Sequence, residues 1–198
     1  MRSRLFFANM STVVRRALLI LARGAEEMEA VISADVMRRG GIDVTIAGLN
    51  ESGPILCSRN VQVQPDMELT EAQEKGTYDA VVLPGGAGGA KELSSSAQVG
   101  KILESHWKAG KVIAAICAAP TALLAHKICL GMKVTSHPSV KSEMEANYSY
   151  LEDRVVIDDR LVTSRGPGTA FEFALAIIEM LCGKESANKI IPPMMLKD

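Results

Sequence analysis

Short, continuous apolar runs alternate along this chain with segments of helical periodicity, and this alternation restricts the fold more than any other feature. Three of the runs, at 17–22 (ALLILA), 78–83 (YDAVVL) and 111–116 (KVIAAI), are typical of strands buried on both faces. Strands that alternate with helices favour a parallel sheet, because each crossover connection carries a helix. The pattern therefore predicts one α/β domain with a doubly wound, mostly parallel sheet.

The other predicted elements fit the same plan. Further extended segments are predicted at 43–49, in two short pieces within 55–65, at 133–135, and in a hairpin made by 154–157 and 161–164. Helices are predicted at 27–39, 99–109, 118–125, 169–181 and 184–191. Thr169, followed three residues later by Glu172, predicts a capping box for the fourth of these helices. In such a sheet the ligand site lies beyond the carboxyl ends of the strands.

Composition and charge exclude several classes of protein. The chain has 198 residues, of which 47% are hydrophobic and 23% charged, unlike a disordered or fibrous protein. Its apolar runs are too short to span a bilayer. With 22 basic and 23 acidic residues, the net charge of −1 does not indicate a nucleic-acid partner. No set of residues has the spacing of a metal site, so no metal is expected.

The first residues differ from the rest in composition. Residues 1–16 contain four arginines and no acidic residue, with an apolar patch at 5–7. This segment is interpreted either as a short disordered extension or as a mitochondrial transit peptide. The expected organisation is an extension over 1–15 and a single domain over 16–198. The expected location is the cytoplasm, with the mitochondrion and the nucleus as alternatives.

Among the four cysteines, Cys117 is the strongest candidate for a reactive thiol. These cysteines form no CxxC pair and no secreted-style framework, so free thiols are expected. Cys117 lies at the turn between the run 111–116 and the next helix, where backbone N–H groups stabilise a thiolate. Its pKa is therefore expected to fall below the ordinary value of about 8.5. An inert buried cysteine fits the spacing equally well.

Three further candidates follow other predicted strands. Glu29 either complements the helix dipole or faces the strand ends, where a desolvated carboxyl would keep its proton and act as general acid or base. His137 is either a base for the thiol or a solvated loop histidine. The turn Gly85-Gly86 could direct backbone N–H groups at an oxyanion, but it matches no phosphate-binding motif.

Five segments, taken together, carry a family resemblance. In this order and spacing, GAEEME (24–29), VVLPGG (81–86), AAICAAP (114–120), TSHP (135–138) and TSRGPGTAFEFAL (163–175) resemble the DJ-1/PfpI (ThiJ/PfpI) superfamily. The branch with the greatest likeness is that of the protein deglycase associated with Parkinson disease, and the likeness spans about residues 16–198. It implies a flavodoxin-like three-layer sandwich, a homodimer and no cofactor.

The resemblance also implies a catalytic part for three residues. Cys117 corresponds to the reactive, easily oxidised nucleophile on a strained turn. Glu29 corresponds to the protonated glutamate at its sulfur, and His137 to a nearby histidine that is poorly placed for a strict triad.

Other implied residues surround this centre. Those implied in substrate binding are Gly85, Gly86, Ala118, Arg39 and Arg59. Cys57 corresponds to a second redox-sensitive cysteine that is more exposed. The chain departs from the branch at Arg23, beside the site, and at Gln64, where some members have a cysteine.

The implied activity is that of a cofactor-free protein deglycase and glutathione-independent glyoxalase. It would repair glyoxal and methylglyoxal adducts on proteins and convert free methylglyoxal to lactate, in protection against oxidative stress. Nucleotide adducts are further candidate substrates, which the charge does not indicate. The alternative is a redox-sensing chaperone or signalling protein oxidised at Cys117. A cysteine peptidase is a weaker third interpretation, because it needs a well-formed triad.

Overall fold

The computed structural model describes residues 14–196, which form a mostly parallel sheet of seven strands with helices on both faces. The strands in chain order are β1 (Arg16–Leu21), β2 (Asp43–Gly48), β3 (Ile55–Leu56), β4 (Gln62–Val63), β5 (Met67–Glu68), β6 (Ala80–Leu83), β7 (Val112–Ile116), β8 (Lys133–Val134), β9 (Ser149–Tyr150), β10 (Val155–Asp158) and β11 (Leu161–Ser164). Their order across the main sheet is β10-β11-β7-β6-β1-β2-β5, and β10 alone runs antiparallel to its neighbour. This architecture confirms the predicted α/β flavodoxin-like sandwich.

Eight α-helices connect and flank the strands. They are α1 (Glu27–Arg39), α2 (Leu69–Glu74), α3 (Ala87–Ser95), α4 (Ala97–Lys108), α5 (Pro120–Ala125), α6 (Lys141–Met144), α7 (Ala170–Cys182) and α8 (Lys184–Ile190) within the described residues. None of these helices has the length and apolar character needed to cross a membrane. The predicted extension over 1–15 lies outside the described residues, apart from residues 14 and 15.

The sheet has a separate apolar core on each face, as its continuous apolar strands predict. Leu19 and Leu21 of β1 pack into the core beneath α1 and α7, whereas Leu18 and Ile20 pack into the core beneath α2 and α4. All four side chains are buried because successive residues of a strand point to opposite faces and both faces are covered.

The helix α3 was not predicted, and one local prediction is wrong. The turn Gly85-Gly86 leads directly into this helix. Thr169 does not cap α7 with its side chain, because its hydroxyl donates to the carbonyl of Gly166 at 2.9 Å. Glu172 therefore completes no capping box and instead forms an ion pair with Arg154 at 2.9 Å. The predicted hairpin of β10 and β11 is confirmed.

Parallel pairing brings three strand ends together at one edge of the sheet. β6 lies between β1 and β7, in register with both. The segments that follow these strands, at 22–26, 84–86 and 117–119, therefore meet at the carboxyl edge, where a doubly wound sheet places its ligand site.

Candidate active site

Cys117 occupies a tightly held turn directly after β7. Its backbone is left-handed, with φ +65°, a conformation that costs a non-glycine residue about 1–3 kcal/mol. Its N–H donates to the carbonyl of Ser164 at 2.9 Å, and its carbonyl accepts from the N–H of His137 at 2.8 Å. Neighbouring segments on two sides therefore hold the turn in place. The residue is 8% exposed, so Cys117 is buried.

Glu29 points into the protein from the first turn of α1. Its N–H donates to the carboxylate of Glu26, the N-cap residue, at 2.8 Å. Its own carboxyl is fully buried, and Oε2 accepts from the N–H of Gly85 at 2.7 Å. The other oxygen, Oε1, has no partner with full hydrogen-bonding geometry among the described residues, while the Cys117 thiol is close enough to influence the pKa of the carboxyl.

Gly85 lies between the thiol and the carboxyl. A Cβ at this position would be 2.6 Å from the Cβ of Cys117 and 2.8 Å from Oε2 of Glu29, distances that side-chain atoms do not reach. Only glycine leaves room for both groups beside the backbone. The N–H groups of Gly86 and Ala118 lie close enough to the sulfur to act against the rise in the pKa of Cys117. An anionic sulfur or an oxyanion bound to it would therefore meet two backbone donors.

Glu26 is a positioning residue that sequence reasoning missed. In the structure its carboxylate caps Glu29, and its N–H donates to the carbonyl of Gly85 at 3.1 Å. The signal was an acidic residue three positions before Glu29, since such spacing is that of an N-cap.

Burial sets the protonation of Glu29. It raises the pKa of the carboxyl to about 7, against the hydrogen bonds from Cys117 and Gly85, which lower it. At neutral pH this carboxyl is therefore poised between its acid and its base form.

The thiol responds to the same surroundings. Burial, and then the negative charge of Glu29, raise the pKa of Cys117 to about 12, although the N–H groups of Gly86 and Ala118 act in the opposite direction. The predicted lowering of this pKa is wrong. The prediction was based on the backbone N–H groups alone, whereas burial and the negative charge of Glu29 have the larger effect. A thiolate forms most readily when Glu29 keeps its proton, so the two groups share one negative charge.

His137 lies near the turn but does not hydrogen-bond with the thiol. Its Nδ1 accepts from the N–H of Ser139 at 3.2 Å and lies 2.8 Å from the hydroxyl of the same serine. This bonding assigns the ring proton of neutral His137 to Nε2. The ring has no hydrogen bond to Cys117 or Glu29, so the structure joins His137 to the centre through its backbone alone.

The two arginines are placed differently. Arg39 ends α1, about 15 Å along the helix from Glu29 by the rise per residue, and it pairs with Asp35. Arg59 is exposed, and its N–H donates to Glu27 at 2.8 Å, near the start of the same helix. One chain therefore does not bring Arg39 to the site, and its predicted role depends on the homodimer, which stays a prediction.

Cys57 is buried, so the expectation of a more exposed second cysteine is wrong. The residue is 4% exposed, less than Cys117 at 8%. Burial, followed by the charges of Glu27 and Glu26, raises its pKa to about 11. These neighbours oppose formation of a thiolate at Cys57. Among residues 14–196, no three His, Cys, Asp or Glu side chains converge as metal ligands.

Comparisons with known proteins give a family match and several relatives of high identity. The model of the DJ-1/PfpI family matches residues 15–180. A Parkinson disease protein 7 homolog from Danio rerio is 54% identical over 186 residues, 93% of this chain and 98% of its own. A Caenorhabditis elegans protein named glutathione-independent glyoxalase DJR-1.2 is 44% identical over 184 residues, 92% of this chain and 97% of its own.

A solved structure extends the likeness to three dimensions. The crystal structure of Drosophila melanogaster DJ-1beta matches with a TM-score of 0.91 and 49% identity, over 93% of this chain and 100% of that chain. The family match includes the turns that carry Glu29, Gly85 and Cys117. The chain belongs to the DJ-1/PfpI family.

Proposed function

We propose that this protein is a cofactor-free glyoxalase and protein deglycase that uses Cys117 as its nucleophile. The observation that carries the proposal is the cluster at the sheet edge: a thiol beside a buried carboxyl with a pKa of about 7, and two backbone N–H groups facing the sulfur. The name of the Caenorhabditis elegans relative, a glutathione-independent glyoxalase, supports the same chemistry.

The first step on methylglyoxal is addition of sulfur to carbon. The Cys117 thiolate attacks the aldehyde carbon, a C–S bond forms, and the aldehyde oxygen takes the proton of Glu29. The product is a hemithioacetal, and Glu29 is left as a carboxylate. N–H donation from Gly86 and Ala118 stabilises the negative charge that develops on oxygen during this step.

The second step is an internal redox rearrangement. The carboxylate of Glu29 removes the hydrogen on the sulfur-bound carbon as a proton, which gives an enediolate with its negative charge on the former ketone oxygen. The hydroxyl proton moves to that oxygen, a C=O bond forms at the sulfur-bound carbon, and Glu29 returns its proton to the neighbouring carbon. The aldehyde carbon is thereby oxidised and the ketone carbon reduced, so no external oxidant is required. Water then cleaves the resulting thioester and releases lactate and the thiol.

On a glycated amine the same site would act by displacement. The thiolate attacks the adduct carbon, the C–N bond breaks, and the amine leaves with the proton supplied by Glu29. The remaining hemithioacetal is the one formed from free methylglyoxal, so both substrates share the later steps.

The geometry also favours a second candidate function, that of a redox sensor. A thiolate attacks peroxide to give a sulfenic acid and hydroxide, and a second peroxide oxidises it to a sulfinate. The two backbone N–H groups and a protonated Glu29 would stabilise that sulfinate at Cys117.

Lactate formation from methylglyoxal, without glutathione, tests the enzymatic proposal. Cys117→Ser is expected to lower kcat/KM at least about 100-fold, because the hydroxyl is a weaker nucleophile with the same shape. Cys129→Ser is the matched control, since that cysteine is also buried but belongs to the other apolar core. Full activity of Cys117→Ser would reject the proposal. Peroxide oxidation of Cys117, in a wild-type chain that forms no lactate, would favour the sensor.

A further inference from the structure

A groove of about 420 Å³ opens directly beside the proposed reaction centre. Ala118, whose N–H faces the sulfur, lines it. Ala87 also lines it and follows Gly86, the second N–H donor. Ser139, which hydrogen-bonds with His137, forms part of a third side. The groove therefore adjoins the segments that follow β6 and β7, next to the proposed nucleophile.

The groove is larger than a three-carbon dicarbonyl requires. Its volume lies within the range of about 300–1,000 Å³ that is typical of sites for much larger ligands. The space exists because small side chains line it: Ala87, Ala90, Ala118 and Ala125. If the dicarbonyl-derived part of a substrate binds at Cys117, the groove has room for the rest of the substrate molecule.

Two charged side chains of opposite sign line the groove. Lys91 lies on α3 and Glu143 on α6, with α5 packed between these two helices. Both are exposed, and neither forms an ion pair with another residue in the range 14–196. Thr121 and Ser94 add hydroxyl groups to the lining. The groove thus presents a positive charge on one wall and a negative charge on the other.

We propose that this groove binds the carrier of a dicarbonyl adduct, and that the carrier is a zwitterionic amino acid or short peptide. Its carboxylate would pair with Lys91 and its ammonium group with Glu143, while the adduct on its side chain meets Cys117. The inference rests on the proposed function and deepens it, because it names the substrate class and two residues that select it.

Binding of an uncleavable analogue tests the groove separately from catalysis. The probe is S-acetonyl-cysteinylglycine, a zwitterionic thioether, and its neutral counterpart is N-acetyl-S-acetonyl-cysteine amide. Titration calorimetry is expected to show that the wild-type chain binds the zwitterion about fivefold or more tightly than the neutral probe, as one or two exposed ion pairs would give. Equal affinity for the two probes would overturn the proposal.

Charge reversal identifies the residues responsible. Lys91→Glu and Glu143→Lys are each expected to abolish the preference for the zwitterion. Lys101→Glu and Glu92→Lys, which change exposed charges outside the groove, are expected to keep it. If the groove variants keep the preference, or the control variants lose it, the assignment of these two residues is wrong.

Turnover of free methylglyoxal separates this inference from the proposed function. Lys91→Glu and Glu143→Lys are expected to keep kcat/KM for free methylglyoxal within about twofold, because methylglyoxal has no charged group with which these side chains could pair. A larger loss would overturn the separation of groove and reaction centre. If the wild-type chain forms no lactate, the proposed enzymatic function is rejected. The preference for the zwitterionic probe would still show whether the groove binds the proposed carrier.

Discussion

At the scale of single residues, two glutamates in one helical turn show how surroundings decide protonation. Glu27 and Glu29 are both buried in the first turn of α1. Burial would raise the pKa of Glu27, but hydrogen bonds from backbone N–H groups and from the Ser58 hydroxyl lower it. Glu29 accepts fewer hydrogen bonds, so burial prevails and its pKa rises to about 7. The two carboxyls therefore carry different charges near neutral pH.

Glu29→Gln tests this assignment through the reactivity of Cys117. In the wild-type chain, the alkylation rate of Cys117 is expected to rise through pH 7 and then level off. The Cys117 thiol and the Glu29 carboxyl together lose their first proton near pH 7. Above that pH, the fraction of the resulting negative charge that the sulfur carries no longer depends on pH. In Glu29→Gln this transition should disappear, and kcat/KM for lactate should fall about 100-fold with loss of the proton carrier. Alkylation by iodoacetamide, located by peptide mass spectrometry, measures the rate.

Glu27→Gln is the matched control for that experiment. Because the pKa of Glu27 is lowered, its charge does not change near pH 7, and the transition should persist in this variant. A wild-type chain without a transition between about pH 6 and 8 would contradict the assignment, as would a Glu29→Gln variant that keeps one.

At the scale of elements, the turns after β6 and β7 decide whether the reacting groups can meet. Gly85 follows β6, and its missing side chain lets the Cys117 turn and α1 approach each other. The left-handed backbone of Cys117 directs its sulfur toward this gap while the residue keeps its bond to β11. A wrong residue in either turn would move the thiol and the carboxyl apart without changing the sheet.

Gly85→Ala tests the close approach of the two turns. Its Cβ would displace Cys117 or Glu29, so kcat/KM for lactate is expected to fall more than about tenfold, with a loss of about 1–3 kcal/mol in the free energy of unfolding. Gly53→Ala is the control, because a Cβ at that position meets no atom within 4 Å. Activity assays and urea unfolding measure both effects. Wild-type activity in Gly85→Ala would show that this contact is not needed.

At the scale of the whole molecule, the carboxyl edge of the sheet and the opposite edge are expected to serve catalysis and stability respectively. The proposed chemistry lies at the carboxyl edge, while Asp79 joins three strands at the opposite edge. Its carboxylate accepts from the Lys111 ammonium at 2.8 Å and from the Arg16 N–H at 3.0 Å. Burial would raise the pKa of Asp79, but these bonds outweigh it and lower the pKa. Asp79 is therefore expected to contribute to stability and not to catalysis.

Asp79→Asn tests this separation. The variant is expected to lose about 1–3 kcal/mol of unfolding free energy at neutral pH and to keep the wild-type kcat/KM for lactate. Since the pKa of Asp79 is lowered in the folded state, its contribution is present above the ordinary aspartate pKa and is lost as the pH falls through the folded-state value. Urea unfolding at several pH values measures the difference, which should shrink below about pH 4.

An exposed pair provides the comparison for Asp79. Asp35→Asn removes the partner of Arg39 on the surface of α1 and should cost less than about 0.5 kcal/mol. A loss for Asp79→Asn no larger than this would contradict the role of Asp79, and a large loss of activity would contradict the separation of the two edges.

The sequence by itself determined the sheet, the strand ends and the segments that carry the site. Apolar runs at β1, β6 and β7 are local patterns, and a parallel sheet places the residues after them at one edge. Glu29, Gly85 and Cys117 could be named as candidates on this basis, and the family resemblance pointed to the same three.

Only the tertiary structure decided the charges, the buried state of Cys57 and the groove. A pKa depends on burial and on neighbours distant in the chain. The carboxyl of Glu29, for example, accepts a hydrogen bond from the N–H of Gly85, which is 56 residues away. The predicted lowering of the Cys117 pKa and the expected exposure of Cys57 were wrong for this reason, because local sequence does not record what covers a side chain. The helix α3 over a glycine-rich segment, and the groove that it borders, likewise depend on packing against α5.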